Sequence, residues 1–488
     1  MQTSGENEAV ATAADTPADA PRTSEASAQG TTNRRQPFPR GFLETISTGW
    51  AERDEIIPPE REAAAFAARR RELLSRAFPG KRLVLPAGSL KQRSNDTDYP
   101  FRAHSAFAHL TGWGADAEPD AVLVLEPRES ADGDGHDATL HFRERAGRET
   151  AEFYADPSIG EFWIGPRPAL AGVAADLGLA TAHLDAFEAH EDDLVLDEDA
   201  DLTRFVSELR LVKDEWEVAQ LQLAVDVTAR GFDDIVADLP AIVAHPRGER
   251  VVEGVFHARA RRDGNAEGYD TIAASGAHAC YLHWTRNDGA VVPGDLILID
   301  AGAEVDSLYT ADITRTLPVS GRFSPVQRRV YETVREAADA AFAAARPGVR
   351  FRAVHEAAMA VIARRVAEWG LLPVTAEEAL DADAGGQHRR YMVHGTSHHL
   401  GLDVHDCAQA RREMYYDGLL EPGMVFTIEP GLYFQSDDLT VPEEYRGIGV
   451  RIEDDVLMTA DGPVNLSGSI PRTADEVEAW IAAGGVRG

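Results

Sequence analysis

Four acidic residues in the C-terminal half of the chain stand where they could take part in chemistry. Asp300 ends the run PGDLILID and Glu429 ends the run PGMVFTIE, and a second apolar segment with its own acid follows each run, Asp312 in LYTADI and Glu453 in GVRIE. One alternative is that Pro-Gly is ordinary turn chemistry and that the acids end strands in solvent. An acid directly after LILI or VFTI, however, lies at the edge of a core and is costly without a partner. The repeated pattern therefore predicts two hairpin-like units that each offer two carboxylates.

Carboxylates that converge in this way raise one another's pKa unless a cation neutralises them. A nitrogen ligand is available in HGTSHHLGLDVHD, which contains His394, His398, His399 and His405. The first two have the spacing of a zinc-protease helix, but Gly395 stands where that motif needs Glu. Four carboxylates with one imidazole form a hard, oxygen-rich set that suits Mn(II), although Co, Fe or Zn could enter. Because four carboxylates exceed the need of one ion, the pattern predicts a dinuclear site.

The overall charge and the cysteine content exclude several classes of protein. The chain has 488 residues with 48 basic and 82 acidic side chains, a net charge of −34 that repels phosphate backbones and anionic lipid surfaces. Two cysteines, Cys280 and Cys407, are too few for a disulfide-framed secreted domain. No apolar run approaches the roughly 18 residues of a membrane span, and the signal-peptide pattern is missing. We therefore expect a soluble, cytoplasmic protein with neither nucleic acid nor membrane as partner.

Composition and periodicity predict three regions. Residues 1–37 are almost free of large apolar side chains and are predicted to be a disordered tail. Residues 38–211 form a first domain, in which a charged helix over 60–77 and apolar runs at 82–85 and 121–125 indicate helices flanking a sheet. Residues 212–488 form a second domain, and its order of helix, helix and strands occurs twice. The predicted helices of this domain begin at Asp214 and cover 248–262, 325–346 and 351–369.

Six segments of the second domain occur in the order of known signatures: YLHWTRN, LIDAG, TADITRTLPVSGRFSPVQR, HGTSHHLGLDVHD, EPGMVFTIEPGLY and GVRIEDDV. They resemble those of the aminopeptidase P family, and Ser94 to Trp113 resembles the N-terminal domain of that family. The resemblance implies an α+β fold. A pita-bread (methionine-aminopeptidase-like) catalytic domain with an internal pseudo-twofold repeat would follow a smaller α/β creatinase-like domain. Twelve positions separate Asp300 from Asp312, one more than in the common bacterial form, and we expect the extra residue in the turn 303–308.

The resemblance also implies a role for each candidate residue. Asp300 would bind one metal ion, Asp312 and Glu453 would bridge both ions, and His398 and Glu429 would complete the other. Glu429 would in addition accept a proton from the bridging water. The remaining assignments are His283, His394 and His405 for orienting the substrate and stabilising its oxyanion, and Tyr433 and Arg451 for lining the proline side. By alternation along the chain, His399 is expected to point away from the metal ions.

The function implied by the resemblance is an Xaa-Pro aminopeptidase in which a hydroxide between two divalent ions, Mn(II) by ligand type, attacks the peptide. Peptides with N-terminal Xaa-Pro would be its substrates, and a homodimer or homotetramer its assembly. The closest alternative is prolidase, which cleaves only Xaa-Pro dipeptides; Ser397 within HGTSH and the order SNDTDYPFRAHS favour the aminopeptidase. A non-catalytic pita-bread peptide-binding module typically lacks ligands that this chain keeps. The large N-terminal domain disfavours a methionine aminopeptidase, and the intact carboxylate set disfavours a metal-free creatinase-like enzyme.

Overall fold

Helices and small sheets alternate along the whole of the chain that the computed structural model describes, which is residues 38–54, 56–95, 97–128 and 135–485. The predicted tail of residues 1–37 lies outside these residues. The α-helices are α1 Arg40–Ile46, α2 Ala63–Ala77, α3 Ser105–Thr111, α4 Ala151–Ala155, α5 Glu161–Ile164, α6 Leu170–Leu177, α7 Ala200–Leu209, α8 Glu215–Ala244, α9 Gly248–Asp263, α10 Pro325–Ala344, α11 Arg352–Glu368, α12 Ala376–Ala379 and α13 Ala474–Ala483. Among the described residues, no helix is both long and apolar enough to cross a membrane.

The strands are short, and their bounds follow in chain order. They are β1 Leu83–Pro86, β2 Gln92–Ser94, β3 Thr97–Asp98, β4 Val122–Pro127, β5 His136–Phe142, β6 Ala180–His183, β7 Leu194–Val195, β8 Ala266–Glu267, β9 Ile272–Ser275, β10 Leu296–Ala301, β11 Ala303–Glu304, β12 Ile313–Pro318, β13 Val425–Ile428, β14 Gly431–Tyr433, β15 Gly449–Arg451, β16 Asp454–Thr459 and β17 Gly462–Asn465.

The described residues can be separated by their internal contacts into two units, a small one of segments 38–52, 91–99 and 146–166 and a large one of the other described residues. In the small unit, the hairpin β2–β3 accompanies α1, α4 and α5, and Phe153 and Tyr154 form an apolar cluster with Phe42 and Ile46. The ring of Phe42 meets that of Tyr154 edge-on at 5.2 Å. The domain bounds at 37/38 and 211/212 remain predictions.

The N-terminal part of the large unit contains a five-stranded sheet in the order β6-β5-β4-β1-β7. The two apolar runs predicted as strands are neighbours in it, since β1 pairs antiparallel with β4 and Leu83 lies opposite Leu125. The outer strands β6 and β7 run parallel to β5 and β1. The predicted helix over 60–77 is present as α2, three residues shorter at its start.

The C-terminal part shows the predicted doubling. Helix α8 packs against α9 and α10 against α11, and each pair is followed by a three-stranded antiparallel sheet, β12-β10-β9 in the first half and β13-β16-β17 in the second. The capping box of Asp214 and Glu217 begins α8, and that of Ser324 and Gln327, with Pro325 at the first helical position, begins α10. These start signals explain why the predicted starts of α8 and α10 agree with the structure to within one residue, and the predicted bounds of α9 and α11 also lie within about two residues of the observed ones.

The strand bounds around the second acid of each half correct the prediction. LYTADI is not a strand: Leu308 adopts a left-handed φ of 69°, the backbone of residues 305–309 turns back on itself, and β12 begins only after Asp312. GVRIE is also interrupted, because β15 ends at Arg451 and β16 begins after Glu453. The reason is that the backbone N–H of Glu453 donates to Thr314 O on β12 rather than to a partner within its own sheet. Both acids therefore lie where a strand is broken.

A buried ion pair fixes the segment before α8 to the histidine-rich loop. The Nζ atom of Lys213 lies 3.1 Å from Asp406 Oδ2 and Nε of Arg210 lies 3.0 Å from Asp406 Oδ1, with the side chains of Lys213 and Asp406 almost fully buried. Burial alone would raise the pKa of Asp406, but the two cations hold it below its ordinary value. The backbone N–H of Asp406 also donates to His399 O, so this acid closes the loop that carries His398 and His405.

We predict that Asp406→Asn lowers the free energy of unfolding by about 3 kcal/mol, because it leaves buried Lys213 without its counter-charge and Arg210 with only the half-exposed Asp403. Asp403→Asn is the matched control, since Asp403 pairs with Arg210 from a position 39% exposed and its loss should cost less than about 1 kcal/mol. Urea unfolding curves of the two variants measure the difference. Coincident unfolding curves would show that the buried ion pair of Asp406 contributes no more to stability than the exposed pair of Asp403.

Candidate metal centre

A cavity of about 550 Å³ lies among the strands of the C-terminal part. It collects most of the candidate residues. Its wall includes Asp300, Asp312, His398, Glu429 and Glu453, together with His283, His394, His405 and Arg451. Tyr433 is not part of this wall and lies buried behind His394 and Arg451.

The two halves of the fold deliver the carboxylates from equivalent places. Asp300 is on β10 and Glu429 directly follows β13, while Asp312 and Glu453 directly precede the returning strands β12 and β16. Thr314 on β12 joins the halves, because its hydroxyl donates to Glu453 Oε2 at 2.7 Å and its carbonyl accepts from Glu453 N. The interrupted strands therefore bring acids from both sheets to one point.

The imidazole of His398 is the nitrogen donor that meets these acids. Its Nε2 lies 3.2 Å from Asp312 Oδ2 and 3.7 Å from Glu429 Oε1. Ligand atoms of Asp312, His398 and Glu453 all lie within 4.8 Å of one another. This is the separation expected of side chains that share a cation.

The electrostatics of the cluster also favour a cation. Burial raises the pKa of Glu429 to about 8 despite the opposing charges of His398 and Arg451. Burial likewise raises that of Asp300, and it raises that of Glu453 strongly because Asp312 and Glu429 add repulsion. The pKa of His398, which burial would lower, is raised to about 9 by its hydrogen bond to Asp312 and by Glu429. The raised pKa values of Asp300, Glu429, Glu453 and His398 favour protonated forms whose protons divalent ions would replace. The hard set of four carboxylates and one imidazole fits two such ions.

Tyr269 is a functional candidate that the sequence analysis missed. Its buried hydroxyl lies 2.6 Å from Asp300 Oδ1 and 2.5 Å from Asp312 Oδ1, so it donates to one of these carboxylates at a time. Burial, with the charge of Asp300 next, raises the pKa of Tyr269 well above its ordinary value and keeps the hydroxyl protonated. The position of a tyrosine shortly before a strand does not by itself predict a functional role. Its role follows only from the pairing of β9 with β10, which places Ile272 opposite Asp300.

A chain of hydrogen bonds runs from the carboxylates to the far side of the cavity. Arg451 donates through Nη2 to Asp300, and its Nη1 donates to the Tyr433 hydroxyl at 3.1 Å. The Tyr433 hydroxyl lies 2.8 Å from His394 Nε2, and His394 Nδ1 lies 2.6 Å from Gly395 O. Since Gly395 O can only accept, His394 carries its proton on Nδ1 and accepts from Tyr433. Burial, together with the charge of Arg451, lowers the pKa of His394 to about 3, so this imidazole is neutral.

Both domains of the chain match known families. Residues 66–201 match the aminopeptidase P N-terminal domain, and residues 219–460 match metallopeptidase family M24. A relative from Streptomyces coelicolor, Xaa-Pro aminopeptidase 1, is 50% identical over 465 residues, which cover 91% of this chain and 92% of the relative. This chain belongs to metallopeptidase family M24.

Further relatives support the aminopeptidase P branch of M24. Xaa-Pro aminopeptidase 2 of Streptomyces coelicolor is 52% identical, with 90% of this chain and 95% of the relative covered. The solved structure of Pseudomonas aeruginosa aminopeptidase PepP is 32% identical and superimposes with a TM-score of 0.73 over 88% of this chain and 99% of that one. Aminopeptidase P from E. coli in its low-pH form, 30% identical, has the same TM-score over 87% of this chain and 99% of that one. The predicted fold, in which a creatinase-like domain is followed along the chain by a pita-bread catalytic domain, is confirmed.

Neighbouring polar residues of the M24 domain lie outside the cavity wall. His399 is buried between the rings of Phe351 and Tyr415, at 4.6 and 4.7 Å, and faces away from the carboxylates as expected. Asp455 supports Asp312 from behind, because its Oδ2 accepts from Asp312 N at 3.2 Å. Asp454 pairs with Arg315 at 2.7 Å.

We predict that Asp312→Asn weakens metal binding at least about 10-fold, because this residue is assigned to both ions and an amide replaces its charge. Asp403→Asn should bind metal as the wild type does, since Asp403 contacts Ser105 and Arg210 instead. Elemental analysis after loading with Mn(II) and desalting measures the bound metal. Equal metal content in the two variants would show that the bridging position is assigned to the wrong residue.

Proposed function

We propose that this M24 protein is a dinuclear metal-dependent aminopeptidase that releases the N-terminal residue from peptides with proline in second position. The observation that carries the proposal is the convergence of four carboxylates and one imidazole on a single cavity. The 50–52% identity to proteins named Xaa-Pro aminopeptidase supports the substrate class.

The ligands divide between the two ions as the family resemblance implies. Asp300 would hold one ion, His398 and Glu429 would hold the other, and Asp312 and Glu453 would be shared between the two. When bound, divalent ions lower the pKa of water towards neutrality and polarise the scissile carbonyl. Mn(II) is proposed for its preference for oxygen ligands, whereas the E. coli enzyme has been solved in a Zn-substituted form.

The chain itself supplies proton transfer and orientation. Glu429 lies with one carboxylate oxygen 3.4 Å from His394 Nδ1 and the other 3.7 Å from His398 Nε2, a central position for accepting the proton of the attacking water. His405 stands beside the ligand His398, with ring centres 4.3 Å apart, and His283 lines the same cavity. These imidazoles hold the carbonyl group of the substrate and the oxyanion that develops from it.

The proline side of the cavity is assigned to His394 and Arg451. Arg451 is tied through Nε to Thr314 Oγ1 and through Nη1 to Tyr433, so its position is fixed before substrate arrives. Tyr433 contributes from behind by holding both residues. Because a prolyl nitrogen carries no hydrogen, we expect the part of the cavity beside His394 and Arg451, here called the recess, to exclude water and to aim no free acceptor at that nitrogen.

Other functions receive less support. Prolidase is not favoured, since the relatives at 50–52% identity are named Xaa-Pro aminopeptidases. A non-catalytic module would have no need for five ligand-type side chains in one cavity. Cytoplasmic location and a homodimeric or homotetrameric state stay predictions.

We predict that exhaustive chelation abolishes hydrolysis and that added Mn(II) restores it. The reason is that water with an unperturbed pKa of about 15.7 yields almost no nucleophile at neutral pH, whereas bound water titrates near 7. Activity is measured before and after chelation and after return of Mn(II), Zn(II) or Co(II) in parallel. Full activity in protein shown to be metal-free would overturn the mechanism.

We predict that Ala-Pro-Ala is cleaved at least ten times faster than Ala-Ala-Ala, because an ordinary residue brings an unpaired N–H into the recess at a cost of about 1–3 kcal/mol. Extension to Ala-Pro-Ala-Ala should preserve cleavage. Chromatography of released alanine measures the rates on these three peptides and on the dipeptide Ala-Pro. Hydrolysis of Ala-Pro alone would indicate prolidase, and equal rates for the two tripeptides would disprove the recess.

A further inference from the structure

Glu249 is a fully buried acid outside the cavity whose carboxylate is surrounded by donors. It is the second residue of α9. Its Oε1 accepts from Ser275 N at 2.8 Å and contacts His278 Nδ1 at 2.7 Å. Its Oε2 accepts from Trp284 Nε1 at 3.0 Å and from Gly289 N at 2.6 Å. Each oxygen thus binds two groups.

All four donors belong to one stretch of chain, residues 275–289, which we call the wall segment. Leu282, His283 and Thr285 of this segment line the catalytic cavity, and from residue 281 to 289 the backbone is neither helix nor strand. Trp284, which directly follows His283, is held twice. Its indole donates to Glu249, and its ring stacks on the imidazole of His278 with centres 3.9 Å apart.

The other end of the wall segment is built around the same carboxylate. A Cβ placed on Gly289 would lie 2.8 Å from Glu249 Oε2, closer than real side chains approach. Glycine at this position therefore allows the backbone N–H to reach the acid. Hydrogen bonds to an ionised acceptor are about twice as strong as neutral ones, so four donors on one carboxylate make a rigid anchor.

We propose that Glu249 is a positioning residue for His283. It acts by fixing Trp284, which lies within the cavity-lining stretch, and Gly289, which lies beyond it, and through them it sets where the His283 imidazole meets the substrate. The proposal rests on the proposed function, because His283 is assigned to the substrate carbonyl there. Misplacing a reacting group by about 1 Å can cost on the order of 100-fold in rate.

Glu249→Gln is the direct test, since the amide keeps the size of the side chain but offers only one acceptor oxygen. We expect kcat/KM on Ala-Pro-Ala to fall about 10-fold, with the fall mainly in kcat and with metal content unchanged. Trypsin cleavage after Arg286, an exposed residue of the wall segment, should become several-fold faster. That readout does not depend on catalysis.

Glu253→Gln is the matched control one turn along α9. Glu253 accepts from Asn287 Nδ2 at 3.0 Å, but Asn287 keeps its bonds to Thr271 O and Ala273 N without it. We expect kcat/KM within 2-fold of wild type and unchanged trypsin cleavage. Trp284→Phe tests the same anchor should Glu249→Gln fail to fold, because it removes the indole donor and keeps a smaller aromatic ring at the position that stacks on His278.

A double-mutant cycle separates positioning from general destabilisation. If Glu249 acts through His283, the Glu249→Gln change should add nothing to the loss already caused by His283→Ala. Multiplied losses, or wild-type kcat/KM and trypsin cleavage in Glu249→Gln, would overturn the inference while leaving the proposed function intact. Absence of Xaa-Pro hydrolysis in metal-loaded wild type would instead defeat the proposed function, and the trypsin assay would still report whether Glu249 holds the wall segment.

Discussion

Repulsion among buried carboxylates is the constraint on which the rest of this structure depends. Asp300, Asp312, Glu429 and Glu453 meet in one cavity, where burial and the neighbouring charge of Asp312 raise the pKa values of Asp300, Glu429 and Glu453. Because a folded domain is stable by only about 5–15 kcal/mol, such a cluster requires compensation from its surroundings. The protein provides part of it through Arg451, and the proposed cations provide the remainder.

The frame that holds these acids follows from the doubled topology. Each half places one acid at the end of a buried strand and another just before the returning strand, and β12 then links the halves. The hydroxyl groups of Thr314 and Thr316 on this strand contact the Glu453 side chain and the Arg451 backbone. Because the charged site is assembled from two sheets, both sheets hold its side chains in place. Because the strands are interrupted at Asp312 and at Glu453, neither acid belongs to the hydrogen-bonded strands of its sheet, and both side chains line the cavity.

The histidines around the cavity depend on a second layer of buried polar and charged groups. His394 is oriented by the hydroxyl of Tyr433, the loop with His405 is closed by Asp406 and its two cations, and the wall segment with His283 is anchored on Glu249. None of these supports lines the cavity itself. They explain why the M24 domain buries charged side chains that burial alone would disfavour.

The sequence by itself determined the helices α8 to α11, because caps and apolar periodicity are local, and it indicated which acids would meet, because each follows an apolar run in a repeated pattern. It misplaced the strands around Asp312 and Glu453, whose backbone bonds go to distant segments. Only the tertiary structure decided the partners of the acids: Tyr269 beside Asp300, Thr314 beside Glu453, and Trp284 beside Glu249. Such contacts join residues 31 to 139 positions apart. Local propensity carries no information about them, since they depend on how sheets and loops pack.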